Sequence, residues 1–412
     1  MAYTGLITLR ITSDRHIFAA LMQMEERTMV MQGTDMKIAE TPEGDLTDFQ
    51  HDDAYDRWQK QEGVKVIVDF AFEDLSQIEL GPWERKGGKG AIINIPNDHL
   101  TNDSHLVEIA PGGKSEPEHH LYEEYCYIIS GRGATNIWND ENKKQSFEWH
   151  AGSLFAIPLN ASYQHFNGSG TEAARYISVT TAPPALRLYN DIDFIFKTEH
   201  AFKGRYDAGG DFFNGSGELF NKRVWESNFI PNAPDMALYG WKERGAGGVN
   251  VMLEMAKNSS KAHMSEFPVG TYKKAHRHGP GAHLLLLSGE EGYSLLWQEG
   301  GERRKADWKV GGMVIVPGDE MFHQHFNTGN TRARYLAIYT GSLGDMKPRS
   351  NRGWLADKSV KEGGWQIEYG DEEKAIHEEY EAQLAAKGVQ CNMKAFIPWC
   401  TGNVGPTDER RT

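Results

Sequence analysis

The stretch Tyr163-Gln164-His165-Phe166-Asn167 returns almost letter for letter as His323-Gln324-His325-Phe326-Asn327. Each copy follows a Gly, five residues and a Pro (Gly152 to Pro158; Gly311 to Pro317), and each precedes an Ala-Arg-Tyr (Ala174 to Tyr176; Ala333 to Tyr335). The match extends upstream, where His105 to Gly112 parallels His263 to Gly270 and an offset of 158 residues carries Gly131 onto Gly289. At the Gln-His-Phe-Asn copies the offset is 160, which a short loop insertion accounts for. A repeat this long means two copies of one domain. The one change inside it, Tyr163 for His323, distinguishes the copies chemically.

With 412 residues there is room for two domains with their own cores, and 11 Trp, 16 Tyr and 18 Phe weigh against disorder. A formal charge of −14 argues against nucleic acid or an anionic membrane as partner. No apolar run approaches the roughly 18 residues of a membrane span, and the N-terminal residues do not read as a secretory signal. Cys126, Cys391 and Cys400 form no CxxC motif, so they read as free thiols in a reducing compartment, with little support for a zinc or redox role. The expectation is a cytoplasmic protein.

Short apolar runs separated by Gly, Asn, Asp and Pro, such as Tyr125 to Ile129, Ser153 to Ile157, Leu284 to Leu287 and Met313 to Val316, read as strands. The expected fold is all-β, with two small barrels. Residues 1–103 form an N-terminal extension with short helices, including one over 52–61. Barrel one covers 104–195, a connection 196–245, barrel two 246–342, and a tail 343–412. In the tail, 371–387 is the clearest helix: Ile376, Tyr380 and Leu384 mark one face and Gly388 is a stop signal, so it should cover a barrel or a subunit interface. The Arg85 to Gly90 loop lacks P-loop spacing and reads as a solvated turn.

In the second unit His276 and His278 stand two apart, so on a strand both point to one side, and His323 sits on a later strand. Three neutral imidazoles from neighbouring strands can hold a divalent metal and leave positions open for other ligands. Between Pro317 and His323 there is one residue more than between Pro158 and Tyr163, so His325 is an alternative ligand.

These spacings resemble the cupin superfamily: a Gly, five residues, His-x-His, three or four residues, Glu, six residues and Gly, followed by a second motif of Gly, five residues, Pro, His and, four on, Asn. Both copies fit that frame, which implies two cupin (jelly-roll-like) barrels, a bicupin. In the second copy the Glu slot holds Ala282. That pattern, with His276-Arg277-His278 and His323-Gln324-His325, is similar to the gentisate 1,2-dioxygenase group, although there the complete site lies in the N-terminal barrel. The resemblance implies Fe(II) on His276, His278 and His323, and cleavage of a small aromatic substrate by O2. Alternatives are a non-oxidative cupin (decarboxylase, isomerase or lyase) with Mn, Zn or Ni, and a non-catalytic barrel that binds a small ligand.

In the first copy the slots hold Glu118, His120, Glu124 and Tyr163, so a structural barrel without metal is expected. A rearranged site from His119 or His120 with Glu124 and His165 is the alternative. A slip in register would make His283 a fourth ligand in the second barrel. His325 is a candidate base or substrate contact, although its duplication as His165 points instead to a structural hydrogen bond. Arg175 and Arg334 are also duplicated, which favours structure, and Arg277 should face outward. Tyr293, Trp297 and Tyr339 are candidate pocket walls or core. The tail helix and barrel faces suit a homo-oligomer.

Overall fold

The computed structural model describes residues 27–32, 35–40, 53–96, 101–140, 143–220, 223–278, 281–318, 321–340 and 357–402. Parts of the expected N-terminal extension (1–26) and tail (341–356, 403–412) lie outside the described residues. Residues 1–52 form a unit of their own containing an antiparallel hairpin, Arg27–Gln32 with Asp35–Glu40. Residues 53–412 form the other unit, which holds both barrels.

Each half is a pair of facing sheets. In the first barrel, Leu154–Ile157, Glu124–Ser130, Ala174–Thr180, Asp103–Ile109 and Gly88–Asn94 are neighbours in the large sheet, and Gln145–His150, Arg132–Trp138 and Ser162–Asn167 make the small one. The second barrel repeats the plan. Its large sheet contains Val249–Glu254, Lys261–Phe267, Ala333–Tyr339, Ala282–Ser288 and Met313–Val316, and its small sheet Arg304–Lys309, Glu291–Trp297 and Phe322–Asn327. Alternation fixes which side faces in: Phe147 and Trp149 in one barrel, and Ala306 and Trp308 in the other, are buried between exposed neighbours. The Gly closing the first motif is required by contact. At Gly131 and Gly289 the backbone has φ of 87° and 104°, and an added Cβ would sit 2.7 and 3.0 Å from the Cα of Ala174 and Ala333. Gly and Ala recur together because two backbones pass there at close range.

The duplication begins earlier than the repeated letters do. Lys65–Val68 runs parallel to Gly88–Asn94 in the first barrel, and Val224–Ser227 runs parallel to Val249–Glu254 in the second. After each comes a two-residue arm that crosses over: Ala71–Phe72 pairs with Met313 and Val314 of the second barrel, and Phe229–Ile230 pairs with Leu154 and Phe155 of the first. The sheet of the first barrel therefore starts upstream of residue 104, and that of the second recruits residues from both the extension and the connection. The duplicated arginines hold the turns after the arms. Arg175 donates to the carbonyls of Leu75, Ser76 and Ile78 and pairs with Glu108, while Arg334 donates to those of Pro234 and Met236 and pairs with Glu266.

The large sheets pack back to back. Leu106, Tyr125, Ile177 and Val179 meet Met264, Leu285, Leu287, Leu336 and Ile338 in one apolar layer. This explains the unbroken run Leu284 to Leu287: a strand buried on both faces has no polar side. Helix α1 (Ala54–Glu62), capped by the Asp53 side chain and ended by left-handed Gly63, packs with α2 (Ala182–Tyr189) on the first barrel. Helix α3 (Ile192–Lys197) comes directly after α2. The tail helix α4 (Lys374–Lys387) lays Ile376, Tyr380 and Leu384 against Tyr272, Tyr293 and Phe326 of the second barrel. Among the described residues no helix is long and apolar enough to cross a membrane.

Candidate metal centre

The first motif of the second barrel and the strand Phe322–Asn327 meet through two backbone hydrogen bonds. His276 N donates to the His323 carbonyl at 3.0 Å, and His323 N to the His276 carbonyl at 2.8 Å. On this strand the odd positions, His323, His325 and Asn327, turn inward. Phe322 and Phe326 turn outward into the apolar layer under the tail, and Gln324 donates to Glu372. His276, His278 and His323 come together with their candidate ligand atoms all within 4.8 Å of one another. Ring centroids lie 4.1 Å apart for His276 and His323, and 4.7 Å for His278 and His323.

Tautomers are fixed for two of them. His276 Nδ1 lies 3.2 Å from the Lys274 carbonyl and His323 Nδ1 3.1 Å from that of Met321. A carbonyl only accepts, so Nδ1 carries the hydrogen and Nε2 keeps its lone pair for a metal. Burial, reinforced by Arg244 and the neighbouring histidines, holds His276 well below the usual imidazole range, so it is neutral as a ligand must be. The donor set and its arrangement fit a divalent metal.

His325 is placed differently. Its ring lies 6.4 Å from that of His276, and its Nδ1 is 2.8 Å from Ser294 Oγ, which also accepts from Trp308 Nε1 at 3.1 Å. The first barrel holds the same arrangement: His165 Nδ1 is 2.7 Å from Thr135 Oγ1, which accepts from Trp149 Nε1 at 2.9 Å. The duplicated histidine thus belongs to a duplicated hydrogen-bond chain. His283 lies away from the three histidines. Ala282 faces the interior with Leu284 and Leu286, so the next residue turns to the opposite, inter-barrel face with Leu285 and Leu287. The fourth-ligand expectation fails because a one-residue step along a strand reverses direction. Of the three aromatic candidates, Tyr339 lies inside, its ring 6.5 Å from that of His278. Tyr293 and Trp297 stack on Phe326 and Phe322 on the outer face, beneath the tail. Arg277 faces outward, paired with Glu299.

In the first barrel, Glu118 and Tyr163 exchange the same two backbone bonds, at 3.0 and 2.9 Å, that His276 and His323 exchange in the second. The candidate trio His120, Glu124 and His165 is not among the ligand groupings that the described residues form. A side chain from elsewhere enters the cup: Lys86 Nζ, fully buried, donates to Glu118 Oε1 at 2.7 Å and Tyr163 OH at 3.3 Å and lies 4.0 Å from Glu124 Oε1. Tyr163 OH donates to Glu124 Oε2 at 2.8 Å, and His120 Nε2 lies 3.0 Å from that oxygen. Burial by itself would raise the Glu124 carboxyl, but Lys86 and His120 outweigh it and hold the group well below the usual carboxylate range. An ammonium occupies the cup in which the slot residues converge. The turn read as solvated instead sends its central lysine into the core, which nothing local to Arg85-Lys86-Gly87 signals.

Sequence reasoning also missed a basic floor in the second barrel. Lys273 is buried, and its Nζ donates to Tyr335 OH at 3.0 Å. The Tyr335 ring lies 5.1 Å from that of His325. Burial, then Arg244, pushes Lys273 well below the ordinary lysine value. The aligned position in the first barrel is Ser115, so this floor is not duplicated.

A family model described as a cupin domain matches residues 105–180. Those residues form a cupin domain. The second barrel repeats its strands and pairing, so the chain has the bicupin arrangement. No curated protein matches the sequence. Solved structures of similar architecture include Bacillus subtilis oxalate decarboxylase (14% identity, TM-score 0.46, covering 67% of this chain and 78% of that one). A Lactobacillus farciminis oxalate decarboxylase formate complex aligns at 13% identity and TM-score 0.46, over 72% and 92% of the two chains. Momordica charantia 7S globulin aligns at 13% and 0.43, over 66% and 84%.

Proposed function

We propose that this cupin is a metal-dependent enzyme whose second barrel binds a small oxygen-rich anion and carries out a non-oxidative reaction of the decarboxylase, isomerase or lyase kind. His276, His278 and His323 would hold Mn, Zn or Ni, and His325 and Lys273 lie deeper in the same barrel. The observation that carries the reading is Lys273, a buried amine on Tyr335 and one ring removed from His325, in the barrel that gathers the three histidines. A divalent metal on three neutral imidazoles keeps its full charge and supplies Lewis-acid polarisation of a carboxylate or carbonyl oxygen. The Arg244 guanidinium, which acts on His276, His325 and Lys273, favours an anionic substrate. Lys273, pushed well below the ordinary lysine value by burial and Arg244, donates to the Tyr335 hydroxyl, and the pair could pass a proton within the barrel. The ring-cleaving alternative with Fe(II) and O2 shares the ligands, but two of the three aromatic side chains offered for its pocket lie on the outer face.

Metal analysis of protein purified without chelator, with His276→Ala and His323→Ala alongside, tests the ligand set. Each variant should lose the metal bound there. Hydroxy- and keto-carboxylates are then followed by NMR under argon. Lys273→Met should lower turnover by about 10²-fold or more with metal retained. Turnover that requires O2, with uptake on a phenolic acid, would replace this reading with the dioxygenase one.

A further inference from the structure

A second cluster of ligand-type side chains lies in the tail, away from both barrel interiors. His377 and Glu381 stand four apart on one face of α4, and Cys391 and Cys400 come from the segment that folds back after Gly388. Their candidate ligand atoms all lie within 4.8 Å of one another, and all four residues are buried. Cys391 Sγ and Cys400 Sγ are 3.6 Å apart, Cys400 Sγ is 3.3 Å from Glu381 Oε1, and His377 Nε2 is 3.5 Å from the same oxygen. Two thiolates on one tetrahedral zinc, each at about 2.3 Å, stand about 3.8 Å apart. These three separations match tetrahedral edges to within a few tenths of an ångström, and the remaining ones lie within 4.8 Å.

The histidine supplies an independent sign. Its Nδ1 lies 3.1 Å from Tyr272 OH, and that hydroxyl donates to Glu372 Oε1 at 2.5 Å. The Tyr272 oxygen therefore accepts from Nδ1–H, which leaves the lone pair on Nε2. Nε2 is buried, has no hydrogen-bond partner and is directed at the cysteines and Glu381. A bare imidazole nitrogen in a dry site is costly, and a cation on it removes that cost. Thr401 N and Oγ1 and Gly402 N already donate to Glu381, holding the carboxylate in place.

From this geometry we infer that His377, Glu381, Cys391 and Cys400 form a structural zinc site that staples the segment after Gly388 to α4. Binding displaces the two thiol protons to solvent, and the metal takes two sulfurs, one nitrogen and one carboxylate oxygen. No position is left open for substrate, so the role is structural. The segment it fixes carries Val389, Met393 and Ile397, which pack in the same layer as Phe322 and Phe326 on the back of the His323 strand. The absence of a CxxC motif concealed this site, because two of the ligands are on a helix and the cysteines lie nine residues apart.

The test uses the full chain, purified without chelator. Zinc-edge X-ray absorption on the wild type should show two sulfur scatterers at about 2.3 Å. Titration with an organomercurial should release roughly one equivalent of zinc to a chromogenic chelator. His276→Ala/His323→Ala protein should keep that equivalent, whereas Cys391→Ser and Cys400→Ser should lose it and keep the barrel metal, which separates this site from the one proposed for catalysis. Wild-type protein with no sulfur-bound zinc overturns the assignment, whether its cysteines are free or mass spectrometry finds them joined as a disulfide. The wild-type measurements decide the matter even if the serine variants fail to fold.

Discussion

At the scale of single residues, Lys86 fills the cup of the first barrel. The first barrel keeps the backbone of the three-histidine cup, down to the paired bonds between Glu118 and Tyr163, but places an ammonium where the slot side chains meet. Removing it leaves Glu118 and Glu124 buried without a cation, which costs about 3–5 kcal/mol. Lys86→Met should therefore lower the urea midpoint strongly, and adding Glu118→Gln should recover part of the loss. A Lys86→Met protein as stable as wild type would show that the ammonium is not needed. The histidine pair offers a matching comparison. His165→Ala and His325→Ala each break a Trp-hydroxyl-imidazole chain and should destabilise by similar amounts, about 1–3 kcal/mol. Only His325→Ala should also reduce turnover. Equal activity in the two variants would assign His325 to structure alone.

Among the elements, the tail determines how the strand carrying His323 is held. The strand Phe322–Asn327 is buried on both faces, whereas its counterpart Ser162–Asn167 alternates between buried and half-buried positions. The difference is α4 and the segment after it, which cover only the second barrel. Glu372, just before α4, receives hydrogen bonds from Tyr272 and from Gln324, the residue between His323 and His325. Burial pushes its carboxyl up to about 7, against the lowering effect of Tyr272, Gln324 and Arg303. The raised value sets the sign: the folded state keeps a proton that the unfolded chain releases above its ordinary value. Stability from this group is full below about pH 4.5, falls as pH rises through about 7, and is level beyond, a change on the order of 3 kcal/mol. Urea midpoints at about pH 5 and about pH 8 should show wild type losing ground relative to Glu372→Gln on the alkaline side. A constant gap between the two proteins would mean that another group titrates.

For the molecule as a whole, the back-to-back sheets and exchanged arms make the barrels one folding unit. Each barrel completes its sheet with two residues that belong, in sequence, to the segment leading into the other. A fragment of residues 53–215 would expose Leu106, Tyr125, Ile177 and Val179 and lack the Phe229–Ile230 arm. The full chain should unfold in one transition by near-UV circular dichroism, and the fragment should show none. A fragment that melts cooperatively would show the barrels to be independent.

The amino-acid sequence determined what depends on periodicity and on short spacing. A strand has period two, so His276 and His278, and likewise His323 and His325, had to share sides, and the repeat alone gave two barrels of one plan. The α4 stripe of Ile376, Tyr380 and Leu384 was legible for the same reason. The tertiary structure decided what depends on distant segments meeting. Lys86 reaches Glu118 from 32 residues away, Tyr272 reaches Glu372 across 100, and the arms cross between barrels. No local pattern encodes such meetings, because a buried ammonium and a solvated one are spelled by the same letter. The meeting of His276 and His278 with His323, the outward turn of His283 and the grouping of His377 with two cysteines also depend on direction in space. Direction is fixed only when both sheets and the tail have closed.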